Sequence, residues 1–201
     1  MSIAIIGSGA IGRALATRFA RKGMAVSMTT RGESSAADVV RELSPHLTTT
    51  SVREGLQADI VLLAVPFPAI RDLGSLASAW GDRIVVDATN AIDFPNFTPT
   101  DLGGRPSTQI VGEFLRAPRV VKAFNTLPAA LLAAEPEVSG GRRVLFLSGD
   151  DASANAKVAA LIERIGFAAV DVGKLAEGGR LQQFGGVLTI KNLVQHPLPG
   201  K

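Results

Sequence analysis

The chain has 201 residues, of which 46% are hydrophobic and 19% charged, with a formal net charge of +3. That is enough apolar material for one domain with a core, with room for a small appendage. There is no cysteine, which excludes disulfides and thiolate metal sites, and the arginines are scattered rather than gathered in a basic block, which argues against a nucleic-acid partner.

Aromatics are scarce (5%, with no Tyr) and glycines number 21, a composition that suits helices packed closely on a parallel sheet. No apolar run approaches a membrane span. The apolar start is broken by Gly7 and Gly9 and lacks a basic leader, so a soluble, cytoplasmic protein with no membrane partner is expected.

In chain order, Ser2 to Ile6 is a short β-branched run that reads as a buried parallel strand. Gly7-Ser8-Gly9-Ala10-Ile11-Gly12 then fits G-x-G-x-x-G, with a helical pattern directly after it. Ile11, Leu15 and Phe19 mark the inner face of that helix, and Arg13, Arg18 and Arg21 the outer one. Gly7 permits the bend, Gly9 leaves room for a pyrophosphate, and Gly12 allows close packing on the sheet. The amide groups and dipole at the helix start favour phosphate. A glycine-rich turn with no ligand is the alternative.

Lys22-Gly23 ends the helix, and Met24 to Thr29 is the second strand. It leads into Thr29-Thr30-Arg31-Gly32, with no carboxylate until Glu33. Thr30 and Arg31 favour the 2′-phosphate of NADP over the bare ribose of NAD. A solvated turn is the other reading. Ser34 or Ser35 caps a helix with Ala36, Val39, Val40 and Leu43 inward, ended by Pro45. Leu47 to Thr50 is β-rich, and Ser51 to Leu56 forms a short helix.

Asp59 to Pro66 is a fully apolar, central strand. Its end, Ala64-Val65-Pro66, belongs at the carboxyl edge, where open α/β sheets bind ligands; Ala64 and Val65 either line a ribose or nicotinamide or simply end the strand. Arg83 to Asn90 is the next strand and exit, where Asn90 suits a ribose or carboxamide and Asp87 local backbone. Asn90 to Pro106 is a long loop, and Ser107 to Leu115 a helix.

Arg119 to Leu127 is a strand ending in a polar turn, where Asn125 offers an amide to the nicotinamide or to a second substrate. Lys122 reads as structural or solvent-facing. Arg143 to Ser148 is another strand. Asp150 or Asp151 caps a helix that buries Val158, Leu161, Ile162 and Ile165 and stops at Gly166, and Phe167 to Val172 is the last strand. The rhythm predicts an α/β, Rossmann-like doubly wound and mainly parallel sheet over residues 1–174, followed by a C-terminal arm at 175–201 that covers the cleft or makes a subunit contact. A homodimer is the expected assembly. His46 and His196 are too far apart to form a metal motif, and no acid–base pair stands out.

The Gly7 to Gly12 turn, Thr30-Arg31, Ala64-Val65-Pro66, Asp87-Ala88-Thr89-Asn90 and Val120-Val121-Lys122-Ala123-Phe124-Asn125-Thr126 together resemble the deazaflavin (coenzyme F420)-dependent NADP oxidoreductases. They are equally similar to the NADPH-binding domain of the six-transmembrane metalloreductases. The resemblance implies an oxidoreductase that passes a hydride between NADPH and a flavin-type ring: F420, FMN or FAD. Gly7 to Gly12 would hold the pyrophosphate and Thr30 with Arg31 the 2′-phosphate. Val65, Asn90, Ala123 and Asn125 would line the nicotinamide, with Ala64, Pro66 and Phe124 beside them. Catalysis would then rest on positioning rather than on a protein acid or base. The arm's Leu181-Gln182-Gln183-Phe184-Gly185-Gly186 follows the family only loosely, so the acceptor stays open. A small-molecule carbonyl or imine reductase and a non-catalytic NADP(H) sensor are the alternatives.

Overall fold

The computed structural model describes residues 1–29, 39–77 and 79–198. Strand β1 (Ile3–Ile6) has every side chain buried and leads directly into helix α1 (Ala10–Arg21). Gly23, at φ +65, takes the left-handed conformation that ends α1. Next come β2 (Val26–Thr29), a helical stretch at 39–43 and β3 (Leu47–Thr49). Helix α2 (Val52–Gly55) opens with a capping box, in which Ser51 and Glu54 satisfy each other's backbone amides.

β4 (Ile60–Leu63), α3 (Ile70–Leu76) and β5 (Ile84–Asp87) continue the alternation. The segment expected as a plain loop contains a small antiparallel ribbon, β6 (Ile92–Asp93) with β7 (Thr98–Pro99), before helix α4 (Ser107–Leu115). β8 (Val120–Ala123), α5 (Ala129–Ala133), β9 (Glu137–Val138) and β10 (Gly141–Gly149) follow. Helix α6 (Ala152–Arg164) is capped by Asp151, which accepts from the Ala154 amide at 2.8 Å, and precedes β11 (Ala168–Asp171).

The main sheet runs β11-β10-β8-β5-β4-β1-β2-β3. From β3 to β8 all pairs are parallel, whereas β10 is antiparallel to β8. The chain between them carries α5, which packs on α1, and β9, which pairs with β10, so it makes no crossover to a parallel neighbour. An antiparallel neighbour needs no crossover. β11 then pairs parallel to β10, after α6.

Helices cover both faces. Phe19, Leu132, Val158 and Ile162 fill one side. Ile70, Leu73, Val111 and Leu115 fill the other, with Trp80, whose indole N–H donates to the Leu115 carbonyl at 2.7 Å.

Arg18 does not face solvent as the helical pattern predicts. It is fully buried, donates to Glu135 at 2.9 Å and to the Ile165 carbonyl at 3.1 Å, and stacks over Phe167. The arm begins with a π turn (Leu175–Gly179) and α7 (Arg180–Gln182) and ends in β12 (Val194–Gln195), which pairs with β10. It lies across β10 and reaches the carboxyl edge, where the Ile190 amide bonds the Thr126 carbonyl at 2.8 Å.

Candidate functional site

The turn from β1 to α1 is shaped by contacts that only glycine permits. Gly7 sits at φ +114, and a Cβ there would strike the Ala64 carbonyl. A Cβ on Gly12 would strike the Gly7 carbonyl. At Gly9 a Cβ would meet nothing within 4 Å among the described atoms. Two glycines therefore close the turn and the third leaves open space in front of it. Gly9 caps α1 with no side-chain hydrogen bond and the first turn carries no acidic residue, which suits an anion. Arg13 Nε donates to the Ser8 carbonyl at 3.0 Å and the Gly7 amide to Thr29 Oγ1 at 3.2 Å, so both ends of the turn are tied down.

In front of it lies a cleft of about 500 Å³, bounded by Gly7, Ser8, Gly9, Thr29, Val52, Ala64, Val65, Pro66, Ala69, Asp72 and Leu73. Its walls are the carboxyl ends of β1, β2 and β4.

A second constellation sits further along the same edge, where β5 and β8 end. Asn90 and Asn125 clasp each other: Asn90 Nδ2 donates to the Asn125 carbonyl and Asn125 Nδ2 to Asn90 Oδ1, both at 3.0 Å. Asn125 Nδ2 also donates to the Gln182 carbonyl of the arm at 2.7 Å. Both of its partners are acceptors, which fixes the amide orientation. Its Oδ1 is left buried with no hydrogen-bond partner among the described residues. A buried acceptor without a donor costs free energy that a donor from a ligand would offset.

Between β8 and Asn125, Phe124 takes φ +64, an uncommon conformation for a bulky residue. The twist sends the Phe124 ring into the core and Asn125 to the edge.

Beneath this edge lies a buried ion pair. Lys122 Nζ stands 3.1 Å from Asp87 Oδ2, and neither side chain has exposed surface. The two are register neighbours on β5 and β8. Thr108 of α4 donates to the same carboxylate oxygen, and Thr89 donates to the other through its amide at 2.9 Å and its hydroxyl at 2.7 Å. Lys122 is thus structural, but the solvent-facing part of the expectation is overturned. The Gln182 amide beside it fits its neighbours with Nε2 toward the Lys122 and Phe146 carbonyls, at 3.3 and 3.2 Å, and Oε1 accepting from Ser148.

Comparison with known proteins points the same way. Residues 2–91 match the family "NADP oxidoreductase coenzyme F420-dependent". Over 186 residues the chain is 31% identical to the metalloreductase STEAP3 of Rattus norvegicus, covering 90% of this chain and 35% of that protein. The chain therefore spans about a third of the length of the curated relative it matches. A hypothetical protein of Sinorhizobium meliloti shares the fold at TM-score 0.93 and 51% identity, covering 97% of this chain and 96% of that one. A protein of Arthrobacter sp. FB24 described as an F420-dependent NADP-reductase matches at TM-score 0.73 and 24% identity, over 94% and 90% of the two chains. A reductive aminase of Aspergillus terreus in complex with NADPH matches in fold at TM-score 0.66 and 16% identity, over 92% of this chain and 58% of that one.

The chain has a Rossmann-type fold, and its residues 2–91 carry the pattern of the F420-dependent NADP oxidoreductases.

The residues singled out in the sequence fall into two groups. Gly7, Ser8, Gly9, Ala64, Val65 and Pro66 meet at the cleft, with Ala10, Ile11 and Gly12 in the first turn of α1 above it. Asn90 and Asn125 meet at the β5–β8 edge, while the side chains of Ala123 and Phe124 are wholly buried in the core. Thr30 and Arg31 lie outside the described residues, as do Ser34 and Ser35. The sequence reading missed Thr29, Val52 and Asp72 in the cleft. It also missed Gln182, whose full burial carried no signal in a polar Gln-Gln pair. Among the described residues no group of three metal-ligating side chains comes together, and no helix is long and apolar enough to cross a membrane.

Proposed function

We propose that the chain binds NADP(H) along the carboxyl edge and transfers a hydride between it and a flavin-type acceptor: deazaflavin F420, FMN or FAD. The open space before Gly9 accommodates the pyrophosphate, with the Ala10, Ile11 and Gly12 amides turned to it. Thr30 and Arg31 take the 2′-phosphate, and Ala64, Val65 and Pro66 pack on the ribose side. Asn90, Ala123, Phe124 and Asn125 form the nicotinamide end, where only the two asparagines offer polar side-chain atoms.

The observation that carries this reading is the orphaned Oδ1 of Asn125, an acceptor placed for the N–H of a carboxamide. NADPH, when bound, supplies the hydride. The protein's part is to hold the nicotinamide at a fixed angle and keep water from one face, which is positioning rather than proton transfer.

A flat acceptor is favoured by what lies next to that end. Phe97 of the ribbon meets Phe184 of the arm edge to face at 5.4 Å and Phe94 at 6.4 Å, and Phe94 and Phe97 are largely exposed. Through Phe184 the arm thereby forms one wall of the acceptor side. Exposed Val187, Ile190 and Leu193 on the same arm suit a homodimer contact, which light scattering tests.

The decisive experiment mixes the protein with NADPH and each acceptor in turn and follows reduced-nicotinamide absorbance. Turnover with one of the three supports the reading. Tight NADPH binding with no turnover favours a sensor, turnover with carbonyl or imine substrates alone favours a small-molecule reductase, and no binding removes the proposal.

A further inference from the structure

Lys122 is an ammonium with no exposed surface on a central strand, a placement that apolar residues fill at lower desolvation penalty. Its partners show what the charge organises. Lys122 Nζ donates to Asp87 Oδ2 and to the Thr89 carbonyl, each at 3.1 Å. Asp87 Oδ1 in turn receives the Thr89 amide and hydroxyl. Thr89 is therefore held at its N–H, its C=O and its side chain. The next residue is Asn90, which clasps Asn125. From the other side, Gln182 bonds the Lys122 carbonyl with its side chain and Asn125 with its own carbonyl. Among the described residues, the side-chain hydrogen bonds of the Lys122–Asp87 pair, apart from the one between them, thus end on Thr89 or on Thr108 of α4.

We infer that Lys122 and Asp87 are positioning residues: they fix the turn after β5 so that Asn90 and Asn125 present a rigid amide pair to the carboxamide of the nicotinamide. The inference rests on the proposed NADP(H) site and goes beyond it, because it predicts a split between the two ends of the cofactor. A merely structural lysine moves both ends alike.

The test compares NADPH with 2′-phospho-ADP-ribose, which carries the phosphates and the adenosine but no nicotinamide, by titration calorimetry on the full chain. Lys122→Met is expected to weaken NADPH about tenfold and 2′-phospho-ADP-ribose less than about twofold. Thr89→Val keeps the fold and removes one donor to Asp87, with an expected NADPH loss of about threefold and the same selectivity. It decides the matter if Lys122→Met does not fold. Equal weakening of both ligands, or unchanged NADPH binding in the folded variants, overturns the inference. Failure of the wild-type chain to bind either ligand overturns the proposed function instead, and is read before any variant is made.

Discussion

The carbonyl oxygen of Gly7 occupies the place that a Cβ on Gly12 would need, so strand β1 and helix α1 meet with no side chain between them. Gly12→Ala forces the helix off the strand, and a loss of about 2 kcal/mol is expected, seen as a lower midpoint in thermal melts. In Gly9→Val the added Cβ meets no described atom within 4 Å. That variant should melt like the wild type and lose NADPH binding in calorimetry. A Gly9→Val protein that binds normally would remove the pyrophosphate from this turn.

Arg31→Ala should weaken NADPH much more than NADH, because only the former carries the phosphate that a guanidinium grips in a forked, charge-assisted pair. Binding constants for the two nucleotides on wild type and variant make the comparison. Equal loss for both would detach Arg31 from the 2′-phosphate.

Arg18 joins α1 to α5 and α6 through Glu135 and the Ile165 carbonyl. Its guanidinium holds the Glu135 carboxyl below its ordinary value, chiefly through their direct hydrogen bond. Arg18→Ala leaves a cavity over Phe167 and an unpaired carbonyl. The expected loss is about 3 kcal/mol, or a melting temperature lower by about 6–12 °C, with cofactor affinity little changed.

Asp151 gives a pH prediction. The Ser153 hydroxyl, the Ala154 amide and then Arg119 stabilise its charged form and bring its pKa from 3.8 down to about 2. A carboxyl lowered on folding adds stability that is complete above its unfolded value and is lost as pH falls toward the folded one. The contribution should therefore fade from about pH 4 toward about pH 2. Asp151→Asn keeps the cap but lacks the charge. Its melting temperature should start below that of the wild type at neutral pH and fall less steeply in acid, and parallel curves would refute the assignment.

Much of this was legible in the chain because local pattern and global position agree. The buried strands Ile3–Ile6 and Ile60–Leu63, the stop at Gly23 and the cap at Asp151 are set by neighbours close in sequence. The places where the reading went astray depend on remote partners. Arg18 looks like an outward residue in its own helix and is buried only because Glu135 and Ile165 come from distant segments. Lys122 alternates as an outward residue would, yet α4 and the arm close over that face. The reversed direction of β10 was hidden because an apolar run is the same in either sense. At the site, the Gly-rich turn was readable from spacing. The clasp of Asn90 with Asn125 needed two strands to be neighbours, which the sheet order alone supplies.

The placement of Trp80 has a practical result. The chain has a single tryptophan, and its indole is buried against Leu115 beside Ile84 and Asp59, near the amino ends of β4 and β5. The proposed cofactor lies at the opposite rim. The wavelength of the indole's emission is therefore an optical gauge of whether the sheet is intact, separate from its intensity, which energy transfer to a bound reduced nicotinamide lowers. Loss of a spectral signature there and loss of nucleotide affinity can be scored as separate events in one cuvette.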